Sequence, residues 1–163
     1  MSKRFASFEA FYDERYDAVR RGLSAAFRDP LLAEEAAQEA FTRAYMHWRR
    51  VSRMDRPDGW VYVVAVRVAA RRRPAVVGRD QGTTTEDFTE DVVNQATLRA
   101  AVDRLPPRQR IAVVLRYLAD LPVDDVAAAM RCAPGTVKST LHSALARLHV
   151  ELDDAEEVEH DAP

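Results

Sequence analysis

Apolar positions recur with helical period through most of the chain. Between residues 5 and 28, Phe8, Phe11, Tyr12, Tyr16, Val19, Leu23, Ala26 and Phe27 follow one another at spacings of three and four, the stripe of an amphipathic helix. Asp29-Pro30 then supplies an N-cap and a first-position proline for a second helix. Glu34 and Glu35 are expected in its first turn, where the positive end of the helix dipole favours carboxylates. The stripe of this helix is Leu32, Ala36, Ala37, Ala40, Phe41, Ala44, Tyr45 and Trp48. Its opposite face carries Glu35, Gln38, Glu39, Thr42, Arg43, Met46 and Arg49. Residues 51–59, punctuated by Pro57 and Gly59, read as a loop. Trp60 to Ala70 is almost unbroken apolar sequence with five valines, which residue preference alone fits to a buried strand. Helix is the preferred reading, because no partner strand is visible and the run continues through Arg71-Arg72-Arg73 to stop at Pro74.

The pattern then breaks. Pro74, Gly78, Gly82 and the run Thr83-Thr84-Thr85 precede an acidic stretch, and residues 74–95 read as a linker. Helical period resumes at about Gln95 with Leu98, Val102 and Leu105, and Pro106-Pro107 breaks and restarts it. A helix from Arg108 to Ala119 presents Ile111, Val114, Leu115 and Leu118, and a short one is expected from Val123 to Arg131. Cys132-Ala133-Pro134-Gly135 connects it to a last helix from Thr136 to about Leu152. The fold class predicted is all-α: two small helical domains, 1–73 and 96–152, joined by a flexible acidic linker at 74–95 and followed by an acidic tail at 153–163. Each domain is small enough to be marginally stable alone.

Composition narrows the function classes. A chain of 163 residues that is 47% hydrophobic and 31% charged is a folded one. It has no apolar run of about 18 residues, so no membrane insertion is expected. No apolar segment follows Met1 in the manner of a secretory signal, and the lone Cys132 makes no internal disulfide; a cytoplasmic location is expected. The net charge of −2 conceals opposed blocks. Arg43 to Arg73 holds nine arginines against Asp55 and Asp58, Asp80 to Asn94 holds five acids and no base, and Glu151 to Pro163 holds seven acids and no Lys or Arg. A polyanion-facing surface flanked by acidic segments fits this distribution, although a single charge block is often only a solvated face.

Two constellations carry candidate chemistry. The short helix, tight turn and longer helix of 123–150 fit a helix-turn-helix, with Val123, Val126, Ala127 and Met130 inward on the first helix and Val137, Leu141, Leu145 and Leu148 on the second. The second then shows outward Thr136, Lys138, Ser139, Thr140, His142 and Ser143, polar side chains near a helix N-terminus, where a recognition helix meets base edges and phosphates. A plain helical hairpin with a polar outside is the competing reading. Farther forward, the arginines of 49–73 are interleaved with Trp48, Trp60 and Tyr62. Cations track phosphates and aromatic faces stack on unpaired bases, a pairing suited to opening DNA, unless the tryptophans are core anchors. Enzyme signals are poor. Gly78 to Gly82 is not followed by Lys-Ser/Thr, and His47, His142, His149 and His160 lack metal-ligand spacing among themselves or with Cys132. No cofactor, metal or catalytic residue is expected.

The sequence resembles the bacterial extracytoplasmic function (ECF, group 4) RNA polymerase sigma factors of the sigma-70 family. The resemblance rests on Glu34-Glu35-Ala36-Ala37-Gln38-Glu39-Ala40-Phe41-Thr42-Arg43-Ala44-Tyr45, similar to the polymerase-binding helix of region 2. It rests equally on Leu105-Pro106-Pro107-Arg108-Gln109-Arg110 with Gly135-Thr136-Val137-Lys138-Ser139, similar to region 4. It implies an alternative sigma factor that binds core RNA polymerase and directs promoter-specific initiation without being an enzyme. Region 4 would read the −35 element as duplex through Thr136, Lys138, Ser139, Thr140, His142 and Ser143. Region 2 would read and melt the −10 element, a role that falls on Arg53, Arg56, Trp60, Tyr62, Arg67 and Arg71. Glu35, Gln38, Glu39, Thr42 and Arg43 would dock on the β′ coiled coil, region 4 on the β flap, and an anti-sigma factor would be a further partner. The chain departs from the family pattern at Val66-Arg67, where Arg-Asn is usual, at Arg71 in place of Asp, and at Arg131 in place of the corner Gly. Thr140 and Ser143 stand where Arg is frequent, so weaker −35 affinity and a shallower salt dependence are expected. Two other readings stay open: a stand-alone helix-turn-helix regulator, and a sigma-like protein that titrates an anti-sigma factor.

Overall fold

The computed structural model describes residues 5–77 and 95–160, with side chains for 5–77 and 96–152. Every regular element among them is helical. Helix α1 spans Phe8–Phe27, α2 Pro30–Met46, α3 Trp48–Val51, α4 Pro57–Arg72 and α5 Pro74–Val77. Helix α6 follows at Gln95–Arg104 and α7 at Pro107–Val113, which runs into a π-helical turn at Val114–Leu118. Helix α8 (Val123–Met130) and α9 (Pro134–His160) complete the order.

The local chemistry that starts and stops these helices is plain. The Ser7 hydroxyl accepts from the Ala10 N–H at 3.2 Å, and the Asp29 carboxylate accepts from the Leu32 N–H at 3.0 Å, so both front helices have side-chain N-caps. Pro30 occupies the first turn of α2; Glu34 and Glu35 fall in the next turn rather than the first. The valine-rich run is helix, and it begins at Pro57, three residues before Trp60. A proline at the first helical position gives up no hydrogen bond, which is why the helix reaches back into the expected loop. Val61, Val66 and Val68 are wholly buried there, so the run reads as apolar because α4 is covered on most sides.

Helices α1, α2 and α4 form the front bundle, with Phe11, Phe41, Leu23 and Val66 at its centre. Trp48 is half-buried and acts as an anchor, its ring stacked on Phe11 at 5.2 Å and edge-on to Phe8 at 5.6 Å. Tyr45 departs from the expected stripe: it is 61% exposed, touching Phe8 edge-on. In the back half α7 and α6 pack on α9, and α8 crosses α9. Leu118 is exposed, because the π turn adds a residue to the coil and rotates the end of the helix off the expected stripe. Leu145 is also partly exposed, and Ala144 takes the inward position beside it.

The segment expected to leave the front domain at Pro74 remains packed. Val77 of α5 is buried, and α5 lies against α4 and α7. The remainder of the acidic linker, 78–94, lies outside the described residues. The final helix runs to His160, well beyond the end expected at Leu152. Front and back share one continuous core, through α4 against α8 and α1 against α7.

That junction is pinned by a buried cation. Arg110 of α7 is 6% exposed. Its Nε donates to the Ala26 carbonyl at 2.9 Å, and one terminal nitrogen donates to the Leu105 carbonyl at 2.9 Å and the Asp103 carbonyl at 3.4 Å. The acceptors are helix-end carbonyls, and two of them are orphaned by proline. Four residues beyond Ala26 stands Pro30, and four beyond Asp103 stands Pro107; neither has an N–H to give. One guanidinium thus closes the C-terminal ends of α1 and α6, where the negative ends of two helix dipoles favour it. Burial, together with the nearby Arg28 cation, lowers its pKa, although an arginine keeps its charge.

Candidate nucleic-acid and polymerase interface

The helix-turn-helix is present. Helix α8 ends at Met130, Arg131 turns the corner with φ 52° and ψ 50°, and α9 begins at Pro134. The left-handed corner lets the N–H groups of Arg131 and Cys132 both bond the Ala127 carbonyl. A non-glycine residue therefore holds the backbone conformation that favours glycine, at a cost of about 1 kcal/mol. Cys132 sits half-buried in this turn rather than fully enclosed. On α9, Val137, Leu141 and Leu148 face inward, while Thr136, Lys138, Ser139, His142 and Ser143 are exposed and Thr140 is half-exposed. The outward polar face stands as expected. The hydroxyls of Ser139 and Thr140 donate to the Thr136 carbonyl at 3.0 and 2.7 Å, which leaves their oxygens free to accept.

The front set divides. Arg53 and Arg71 are exposed. Arg56, Trp60, Val63 and Arg67 line one stripe at spacings of four, three and four, and that stripe faces α8. Tyr62 lies elsewhere: it is 5% exposed, and its hydroxyl donates to the Ala18 carbonyl at 3.4 Å over Gly22. Burial, with Asp58 second, pushes its phenol up to about 12. The side chain is core and offers no face to a base. It falls two positions from Trp60, on the inner side of the helix. Val66, in the place of the usual Arg, is wholly buried for the same geometric reason.

The face of α2 opposite the core holds Glu35, Gln38, Glu39, Thr42 and Arg43, all exposed or half-exposed. These groups form a network. Arg72 of α4 donates to Glu35 and Glu39 at 2.8 Å each, and Arg43 pairs with Glu39. The Thr42 hydroxyl donates to the Gln38 carbonyl at 2.8 Å. Burial pulls the Glu39 pKa upward, but Arg72 and Arg43 overcome it and hold the carboxyl below its ordinary range. Arg72 itself is raised by Glu39 first and Glu35 second. From sequence Arg72 stood only within a run and Arg110 only within a family motif; for Arg110 the structural signal was the pair of prolines placed three residues after helix ends. Among the described residues no cluster of His, Cys, Asp or Glu could hold a metal ion, and no helix is long and apolar enough to cross a membrane.

A half-exposed arginine-aromatic helix joined to a helix-turn-helix with an open polar face defines a two-part, DNA-reading helical protein. Sequence comparison makes the class specific. The family model for Sigma-70 region 2 matches residues 11–74, and that for Sigma-70, region 4 matches residues 95–148. The chain is 34% identical over 152 residues to the RNA polymerase sigma-E factor of Streptomyces antibioticus, covering 90% of this chain and 84% of that one. It is 31% identical over 160 residues to the ECF RNA polymerase sigma factor SigL of Mycobacterium tuberculosis, covering 91% and 90%. Its fold is also that of the sigma factor RpoE from Bartonella quintana, solved in complex with the anti-sigma factor NepR (TM-score 0.62, 19% identity, 90% of this chain and 96% of that one). The chain belongs to the sigma-70 family, in its ECF branch. It binds core RNA polymerase and promoter DNA and directs promoter-specific initiation; the family is not a class of enzymes.

Proposed function

We propose a residue-level division of that work. Residues 96–152 read the −35 duplex, with Thr136, Ser139, Thr140, His142 and Ser143 toward base edges and Lys138 toward a phosphate. The observation that carries this is the exposed polar face of α9 behind a buried Val137-Leu141-Leu148 seam. The front domain, extended from 1–73 to include α5, engages the −10 element through Arg53, Arg56, Trp60, Arg67 and Arg71. Cations take the backbone of the separated strand and the indole stacks on a base. Tyr62 is left out of the set. The α2 face of Glu35, Gln38, Glu39, Thr42 and Arg43 docks on the β′ coiled coil of the polymerase, and the back domain on the β flap. Residues 78–95 join the two domains, and 153–163 carry the acidic tail, into which α9 runs as far as His160.

The chain selects and opens DNA; RNA synthesis belongs to the polymerase, so the chain is no catalyst and works in the cytoplasm where its partner is. The resemblance in fold to a sigma factor bound by an anti-sigma factor supports a further partner of that kind here. The test is transcription by core polymerase with and without the chain on a random-sequence template library, with start sites mapped. Discrete new starts sharing a two-part upstream sequence are expected. Polymerase binding without new starts would overturn initiation in favour of a titrating role. Tight, symmetric duplex binding without polymerase would favour a stand-alone regulator.

A further inference from the structure

Arg72 is the last residue of α4, yet its side chain reaches across to the outer face of α2. One terminal nitrogen donates to Glu35 and the other to Glu39, at 2.8 Å each. Arg43 takes the second oxygen of Glu39. Helix geometry sets the span. Glu35 and Glu39 stand four residues apart, so their side chains leave α2 on one face, a turn from each other. A planar guanidinium offers two terminal nitrogens and meets both carboxylates, where an ammonium has only one nitrogen to offer. Glu35 is held through one oxygen and Glu39 through both. A carboxylate has about four acceptor sites, so each can still take a donor from an incoming partner.

Two carboxylates at that spacing repel each other when nothing stands between them. Both side chains are long and open to solvent, 45% exposed for Glu35 and 29% for Glu39. Without the arginine they would sample many rotamers and swing apart. With it they are fixed in one arrangement, and together with Arg43 the charges of the group cancel, two carboxylates against two guanidiniums. Exposed ion pairs of this kind add little to folding. What the bridge changes is the order of an exposed surface, and that surface is the one assigned to polymerase docking.

We propose that Arg72 is a positioning residue for docking: it fixes Glu35 and Glu39 in the arrangement that the β′ coiled coil accepts, and acts through them rather than by touching the polymerase. The two side chains are ordered before the encounter, so the complex does not lose their rotamer freedom on forming. For two long side chains that saving is worth about tenfold in affinity. The inference rests on the assignment of the α2 face to the β′ coiled coil.

Binding of the full chain, dye-labelled at its amino terminus, to core polymerase tests this by fluorescence anisotropy. Arg72→Ala should bind about tenfold more weakly while its Tm stays within about 4 °C of the parent. Arg72→Lys should recover part of the loss, since one ammonium cannot hold both carboxylates. The deciding measurement is a double-mutant cycle: in a chain carrying Glu35→Ala and Glu39→Ala, the further change Arg72→Ala should cost less than about twofold. An equal loss in both backgrounds overturns the inference, because Arg72 then acts without the two carboxylates. So does an unchanged affinity of Arg72→Ala, the mark of a brace between helices, or a tighter one, the mark of a mask over the docking face. If the Glu35→Ala, Glu39→Ala chain binds polymerase as the parent does, the docking assignment falls and the inference with it. If that chain binds weakly and Arg72→Ala binds as the parent does, the inference alone falls.

Discussion

Replacing Arg110 by methionine should destabilise the whole chain, because it removes a cation that closes two helix ends at once. Methionine keeps an unbranched apolar stem of similar reach, so packing against α1 is largely retained. The polar loss is specific. The Asp103 carbonyl keeps Arg28 as a donor at 3.1 Å, but the Ala26 and Leu105 carbonyls lose their guanidinium donors in buried bonds. Leaving a buried acceptor unsatisfied costs about 1–3 kcal/mol, so two cost about 2–6. Relief of the buried guanidinium's desolvation offsets part of this, for a net loss of about 2–4 kcal/mol. In a chain of this size each kcal/mol moves Tm by about 2–4 °C, which places the expected drop at roughly 5–15 °C. Thermal unfolding followed by circular dichroism measures it, with urea unfolding as the isothermal check. Arg110→Lys should fall between, since an ammonium retains the charge but not the planar fork that reaches both domains. A Tm within about 2 °C of the parent for Arg110→Met would refute the reasoning and relegate the arginine to a passive spacer.

Three further outcomes follow from other sites. Arg131→Gly relieves the left-handed corner of the helix-turn-helix and should raise stability by about 0.5–1 kcal/mol, read as a higher urea midpoint at unchanged slope. Lys138→Ala should weaken binding to −35 duplex alike for all sequences and lower the salt slope by about 0.9, measured by fluorescence anisotropy across a salt series; a sequence-selective loss would move Lys138 from phosphate to base. Glu39→Gln should blunt acid denaturation: the folded pKa of Glu39 lies below its ordinary 4.5, so its stabilisation is present above 4.5 and is lost as pH falls through the folded value. Urea midpoints of parent and variant should therefore differ most near neutral pH and converge in acid.

Much of the fold was legible because helical period and helix punctuation agreed. Asp29-Pro30 marks a start and Pro106-Pro107 a break, and both marks stand in the structure. The errors arose where one helix turn depended on a neighbour. Tyr62 looked like a base-stacking aromatic because it stands two positions from Trp60, yet residues two apart point roughly 200° apart around a helix, and only one of the two faces outward. Leu118 was assigned to a stripe that a π turn displaces, and nothing in local preference announces an extra residue in a turn. The outward polar face of α9 was easier, since Val137, Leu141 and Leu148 fix its inward side and leave the rest no other place.

The contact between the two domains was the least legible part, and the reason is chemical. Its decisive bonds run from arginine side chains to backbone carbonyls: Arg110 to Ala26, Arg67 to Ala128, Arg56 to Asp120 and Arg108 to Val77. A carbonyl is present at every residue, so no residue type on the accepting side marks where such a bond will form. What does carry information is the absence of a donor. Pro30 and Pro107 each leave a helix-end carbonyl without its usual N–H, and a buried acceptor of that kind must be met by something. Two prolines placed three residues beyond helix ends, with a buried arginine in the Leu105-Pro106-Pro107-Arg108-Gln109-Arg110 segment, therefore make this segment a structural hinge-pin as well as a family signature. It positions the back half of the chain against α1.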